Sequence, residues 1–217
     1  DEIGRDIYSR VILGTKYTLF VALISVILGT FIGVTIGLIS GYYGGYIDKF
    51  ISVIIDLLLT IPTLILAIVI ASILEGGMVG LILAISISFS PSFARLIRSK
   101  VLEIKKEDYI SAVITIGLND RTIIFKHIFL NCLTVIFIRS SLFAGQAVLA
   151  GTALGFLGLG VEPPLPEWGT MIGNGKDYMD VAPYLLIAPG VVITLLVIAF
   201  NLLGDGLRDY FDPNMKL

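Results

Sequence analysis

The chain has 217 residues, of which 56% are hydrophobic and 15% charged, with a formal net charge of −2. Soluble domains are about 25% charged, and a fold of this size cannot hide so much apolar surface from water, so composition marks an integral membrane protein with the lipid bilayer as its solvent. The acidic balance excludes a nucleic-acid partner, and the single Cys132 and single His127 exclude an internal disulfide and a cysteine-cluster or multi-histidine metal site.

The opening residues, Asp1-Glu2-Ile3-Gly4-Arg5-Asp6, lack the basic start and short apolar core of a cleavable signal. A spanning helix needs about 20 mostly apolar residues. Tyr17–Ser40 is the first such run and carries no charge. Gly29, Gly33, Gly37 and Gly41 recur through it at every fourth position. That spacing lines one helix face and lets another backbone approach closely; lining a pore is the alternative. After the Gly41–Lys49 break, Phe50–Leu74 is the second run, with Asp56 as its one charge and an expected kink at Pro62. Met78–Ala94 is the third, shorter and uncharged. The polar loop Arg95–His127 follows. Ile128–Leu149, with only Arg139 charged, is the fourth run, and beyond the loop Ala150–Ala182, Pro183–Leu203 is the fifth. The runs are long and do not alternate, so helices are expected rather than barrel strands. The fold class is an all-α membrane protein, a single domain of five spans.

Cationic residues set the orientation. The 95–127 loop holds Arg95, Arg98, Lys100, Lys105, Lys106, Arg121 and Lys126, so it is expected to be cytoplasmic. Alternation puts Lys49, Arg208 and Lys216 on the same side and starts the chain outside. An outside start without a signal predicts a further spanning helix ahead of Asp1.

The cytoplasmic loop has the makings of a short docking helix. Glu107 and Asp108 suit a helix N-terminus, Ser111 and Ala112 offer a small face, and Gly117 ends or bends the helix. Such a helix fits a groove on a soluble partner; a solvated connector is the other reading. In the outer loop, Gly158 and Gly160 break the helix and Pro163, Pro164 and Pro166 keep it from resuming. Trp168 has the ring favoured at membrane interfaces. Asp56 and Arg139, charges within spans, are functional candidates by default: Arg139 for the pathway or a subunit interface, Asp56 for a structural role near a gate. Asp205, Arg208 and Asp209 follow the last run and are expected to pair locally.

The loop resembles the coupling motif of ABC-importer permeases: Ser111-Ala112-Val113 stands in place of Glu-Ala-Ala, Gly117 matches its glycine, and Ile128-Phe129-Leu130 falls at its close. Further stretches resemble the oligopeptide, dipeptide and nickel permeases. These are Gly4-Arg5-Asp6 with Ser9-Arg10; Gly41-Tyr42-Tyr43-Gly44-Gly45 with Asp48; Asp56 with Ile61-Pro62; Phe156 to Gly160 with Pro163, Pro164, Pro166 and Trp168-Gly169; and Asn201 to Asp209 with Asp212-Pro213. The resemblance implies a type I permease bundle of six helices, the N-terminal one missing here. It implies ATPase coupling through Asp108, Tyr109, Ser111, Ala112, Gly117 and Asp120, and a pathway or gate at Asp56, Pro62, Arg139 and Trp168. It also implies a second homologous permease in a heterodimer, two ATPase subunits that bind ATP and Mg, an extracellular solute-binding protein, a prokaryotic plasma membrane, and a cargo of peptides or of nickel and metal chelates. No cofactor is expected in this chain.

A phosphate-binding loop needs Gly-x-x-x-x-Gly-Lys-Ser/Thr, and Gly173-Asn174-Gly175-Lys176-Asp177 fails that spacing, so ATP hydrolysis in this chain is not expected. An ion-gradient-driven secondary transporter or channel is the rival; it predicts inverted repeats and more charges at mid-membrane depth. A membrane enzyme would need a nucleophile with a base, or paired carboxylates, and Asp56 is the one carboxylate within the runs.

Overall fold

The computed structural model describes Asp1 and residues 3–211; Glu2, Asp212, Pro213 and Lys216, all used in the sequence reading, lie outside the described residues. Helix α1, Ile7–Tyr43, starts where Asp6 accepts the backbone N–H of Ser9 at 2.7 Å. Its 37 residues span about 55 Å, against an apolar bilayer thickness of about 30 Å. Gly44 and Gly45 turn the chain with φ of 65° and 58°, a region open to glycine.

The Phe50–Leu74 run is not one kinked rod. It divides into α2, Gly45–Thr60, and α3, Thr63–Ile73, bent by 95° at Ile61-Pro62. Pro62 lacks a donor and forces the preceding residue out of the helical region; Ile61 sits at φ −87°, ψ 127°. The expected kink at Pro62 is therefore a full break.

Helix α4, Gly77–Ile104, runs well past the apolar limit at Ala94 and carries Arg95, Arg98 and Lys100 on a helix rather than in a loop. Apolarity stops at the first charge, whereas backbone hydrogen bonding continues for as long as the charges find partners or water. Pro91 lies inside α4 and cannot donate to Ile87; the Ser90 hydroxyl donates to that carbonyl instead, at 2.9 Å. Such repair by a hydroxyl is what lets proline sit in a membrane helix. Beyond α5, Asp108–Thr115, a continuous rod covers Asp120–Phe156: α6, Asp120–Thr122, a π-helical stretch, Ile123–Phe129, and α7, Leu130–Phe156. The last elements are α8, Trp168–Gly175, a 3-10 turn at Lys176–Tyr178, and α9, Tyr184–Phe211. Among the described residues there is no strand.

Lipid gives apolar side chains no reason to meet each other, so close packing and interhelical hydrogen bonds decide which helices associate. α1 and α4 form the main pair, and the glycine stripe is the reason. A Cβ at Gly37 would lie 2.7 Å from the Ala94 carbonyl, at Gly41 2.7 Å from Val101, and at Gly29 3.0 Å from the Ser86 carbonyl; Gly33 faces Phe93 and Ser90. The four glycines thus lie against α4, the packing alternative, rather than lining a pore. Ser86 donates across the seam to the Ser25 carbonyl at 3.2 Å, and Thr30 and Ser140 tie α1 to α7 at 3.1 Å. One core cluster fills this middle around Ile85, Phe93, Phe143 and Leu154; a second, around Ile97, Val101, Ile110, Ile123 and Ile128, fills the α5 end.

Candidate functional site

At the α5 end, Ile110 is fully buried and Val113 and Leu118 pack with it, so the helix is anchored by its inner face. Asp108, Tyr109, Ser111 and Ala112 point outward and are exposed. Asp108 lies in the first turn, where its charge complements the helix dipole. At the other end Gly117, at φ 84°, receives the chain in the left-handed region. Its N–H reaches the Ile114 carbonyl at 3.0 Å and the N–H of Leu118 reaches Val113 at 3.2 Å. This paired closure is the glycine helix stop that satisfies the last carbonyls. Tyr109 accepts from the Asn131 amide at 3.2 Å.

Two further ties hold α5's surroundings. Tyr42, in the last turn of α1, donates to Asp120 at 2.7 Å, while Lys105 donates to the Tyr42 carbonyl at 2.6 Å and lies 5.5 Å from its ring centre. Arg98 forks onto Asp48 through two bonds of 2.5 and 2.6 Å, and Ser40 and Ser52 donate to the same carboxylate. The ends of α1 and α4 and the start of α2 are joined at this one carboxylate. Asp48 belongs to a sequence motif; its partner Arg98 falls in the polar 95–127 stretch expected to be a loop, and only the continuation of α4 as a helix brings the two together.

Along α4 the exposed side forms a polar seam. Arg95 pairs with Asp56 of α2, in a groove also lined by Ser52 and Ser99. The neighbouring groove holds Ser92, Ser99, Arg95 and Arg139. A third, of about 620 Å³, lies between α4, α7 and α9 and is lined by Lys100, Arg139 and Arg208 among apolar residues. Asp56 and Arg139 therefore border one continuous strip; Pro62 and Trp168 are not among the residues lining it. Arg208 lies within α9, not beyond the last helix, and no ion pair joins it to Asp205 or Asp209. Helix α9 outruns its apolar segment as α4 does.

At the opposite end Trp168 is 1% exposed, which overturns its reading as an interfacial ring. Its indole N–H donates to the Val11 carbonyl at 2.9 Å, and the ring lies so close to Gly14 that a Cβ there would meet it at 2.8 Å. The residue before it, absent from the sequence reading, is the polar centre of this end. Glu167 is 2% exposed and caps α8, accepting the N–H groups of Gly169 at 2.8 Å and Thr170 at 2.9 Å. Burial pushes its carboxyl above the ordinary range, against these hydrogen bonds, which pull it down. Its position before a Trp-Gly-Thr helix start was the available signal. Helix α7 stops at Gly158, φ 82°, and the Pro163-Pro164 peptide is cis.

Residues 33–217 match the family described as the binding-protein-dependent transport system inner membrane component. The chain is 43% identical over 216 residues to the glutathione transport system permease protein GsiD of Pectobacterium atrosepticum, a match covering 100% of this chain and 72% of that protein. The corresponding protein of Salmonella typhimurium is 41% identical over 216 residues, covering 100% of this chain and 71% of its own length. The dipeptide transport system permease protein DppC of Alkalihalophilus pseudofirmus is 45% identical over 126 residues, 58% of this chain and 41% of that protein. A solved structure of the inward-facing MetNI methionine ABC transporter shares the fold, with a TM-score of 0.75 at 20% identity over 94% of this chain and 97% of that one. The chain belongs to the binding-protein-dependent transport system inner membrane component family, as an ABC-importer permease subunit of the peptide and nickel group, a transport component without an ATPase site of its own.

Proposed function

We propose that this chain and a second, homologous permease subunit form the membrane pathway of an importer for di- and oligopeptides in a prokaryotic plasma membrane. Two separate ATPase subunits bind ATP and Mg and dock on α5 from the cytoplasm; an extracellular binding protein delivers cargo at the Trp168 end. The names of the relatives, glutathione and dipeptide permeases, favour peptide over the nickel or metal-chelate cargo that the family also admits. A ligand shifts a conformational equilibrium only by its differential affinity for the two states. ATP acts here by favouring the arrangement of the ATPase pair that holds α5 in its inside-closed position.

The observation that carries this reading is the build of α5: buried Ile110 inside, Asp108, Tyr109, Ser111 and Ala112 outside, and a glycine stop at Gly117. A helix anchored on one face and bare on the other passes displacement into the bundle. The test is Ala112→Trp in the reconstituted complex, with ATPase co-purification and ATP-driven peptide uptake measured together. Loss of both is expected. Retention of both with wild-type coupling removes α5 as the transmission element.

A further inference from the structure

The seam along α4 carries more positive charge than it neutralises. Arg95 is paired with Asp56, Arg98 with Asp48, and Lys100 with Glu103 at 2.7 Å. Arg139 and Arg208, which line the same 620 Å³ groove, have no hydrogen-bond or ion-pair partner among the described residues. The depth of Arg139 is informative. Ser140, next to Arg139, bonds Thr30, which lies 13 residues, about 20 Å, along α1 from Tyr43. Arg139 therefore lies well along the span, on its surface, rather than at the level of the α1 terminus.

An ionisable side chain at such depth faces the bundle interior or a wet cavity. The strip from Asp56 through Arg95, Ser99 and Ser92 to Arg139 is open on this chain's surface. Facing lipid it would leave charges and hydroxyls in hydrocarbon along its whole length. A lipid headgroup would satisfy only an interfacial end of the strip. A water-filled path satisfies all of it.

We infer that Arg139 and Arg208 form a carboxylate-binding subsite on the wall of the translocation path, so that acidic peptides are favoured in transit. The inference rests on the peptide-importer reading. Guanidinium matches carboxylate through paired N–H donors, and the groove's apolar lining by Leu96, Leu142 and Phe211 lowers the local dielectric and strengthens that attraction. Lys100, held by Glu103, is a supporting charge at the rim.

The test uses the full transporter in proteoliposomes with two C-terminally amidated tripeptides, Ala-Glu-Ala-NH2 and Ala-Gln-Ala-NH2, so that the glutamate side chain is the one carboxylate offered. The readout is the uptake of each by Arg139→Gln, Arg208→Gln and Arg139→Lys relative to wild type, so that preferences of the binding protein cancel. Loss of the charge-assisted hydrogen bonds to the side-chain carboxylate should make Arg139→Gln depress the acidic peptide about tenfold more than the neutral one, with Arg139→Lys regaining only part of the difference, because an ammonium keeps the charge but cannot make the fork. Equal depression of both peptides overturns the subsite in favour of a structural role. An unchanged ratio, with anionic phospholipid lost from the variant in native mass spectrometry, reassigns the groove to lipid. Wild type that carries neither peptide sinks the peptide reading itself, and an unchanged ratio in an active transporter sinks only the subsite.

Discussion

Tyr42 and Asp120 are 78 positions apart, yet a 2.7 Å hydrogen bond joins them, tying the end of α1 to the start of the rod that leads into α7. Asp120 is thereby a brace between the loop and the bundle. A partly exposed hydrogen bond of this kind contributes about 1 kcal/mol. Tyr42→Phe should therefore open the Leu118–Ile123 segment about fivefold more often, read as faster amide exchange there. Exchange around Ser86 should not change. Wild-type protection at Leu118–Ile123 in the variant would show that the brace is idle.

The glycine stripe of α1 permits a matched comparison. At Gly37 an added Cβ meets the Ala94 carbonyl at 2.7 Å and Ile97 at 2.8 Å, both rigid atoms of α4. At Gly190 in α9 a Cβ meets nothing within 4 Å. Gly37→Ala should cost about 1–3 kcal/mol by overpacking, lowering the melting temperature in detergent by several degrees. Gly190→Ala should be neutral or gain up to about 1 kcal/mol from helix propensity. Equal effects at the two sites would mean that α1 and α4 are not closely packed.

Four of the five apolar runs and the glycine seam were legible because apolar length and fourfold spacing are local properties of the sequence, whereas the second run is two helices broken at Pro62. Helix ends were not: hydropathy halts at Arg95 and Leu203, while α4 and α9 continue to Ile104 and Phe211. That error hid the two partners that matter most. With Arg95 and Arg98 placed in a loop, nothing linked them to Asp56 and Asp48, and with Arg208 placed beyond the last helix, nothing brought it beside Arg139. Trp168 misled because the amphipathic character that suits an indole to an interface also suits it to a buried socket with one carbonyl acceptor. The capping place of Glu167 has a local signal, but its burial depends on a close approach between Gly155, Gly160 and α8, which no local pattern announces.

The two carboxylate–arginine pairs on α4 should differ in strength. Arg98 grips Asp48 bidentately, with side-chain exposures of 32% and 16%, whereas Arg95 and Asp56 are 56% and 63% exposed. Exposed pairs contribute about 0–1 kcal/mol, and fork geometry out of water contributes more. Double-mutant cycles on the purified chain, with alanine at each partner, should give about 1–3 kcal/mol of coupling for Arg98–Asp48 and under about 1 kcal/mol for Arg95–Asp56. Arg98→Lys should lose much of its coupling, because an ammonium cannot make the fork. The reverse ranking would mean that Asp48 is not the joint of the three helix ends.

Glu167 sets a pH dependence whose sign follows from burial. Removal from water raises its folded-state pKa above the ordinary value of 4.5. Between that value and the raised one, the folded chain holds more protons at this site than the unfolded chain. Stability therefore falls as pH rises through the window, is greatest below it and is flat above it. Glu167→Gln removes the titration but keeps only one side-chain acceptor for the two N–H groups of Gly169 and Thr170, a constant loss of about 1 kcal/mol for a weakened cap. Thermal unfolding in detergent from pH 4 upward should show the wild-type curve descending toward that of the variant, with the gap narrowing across the window. Parallel curves would mean that the carboxylate is ionised at no net cost, the cap's hydrogen bonds offsetting the loss of water around it.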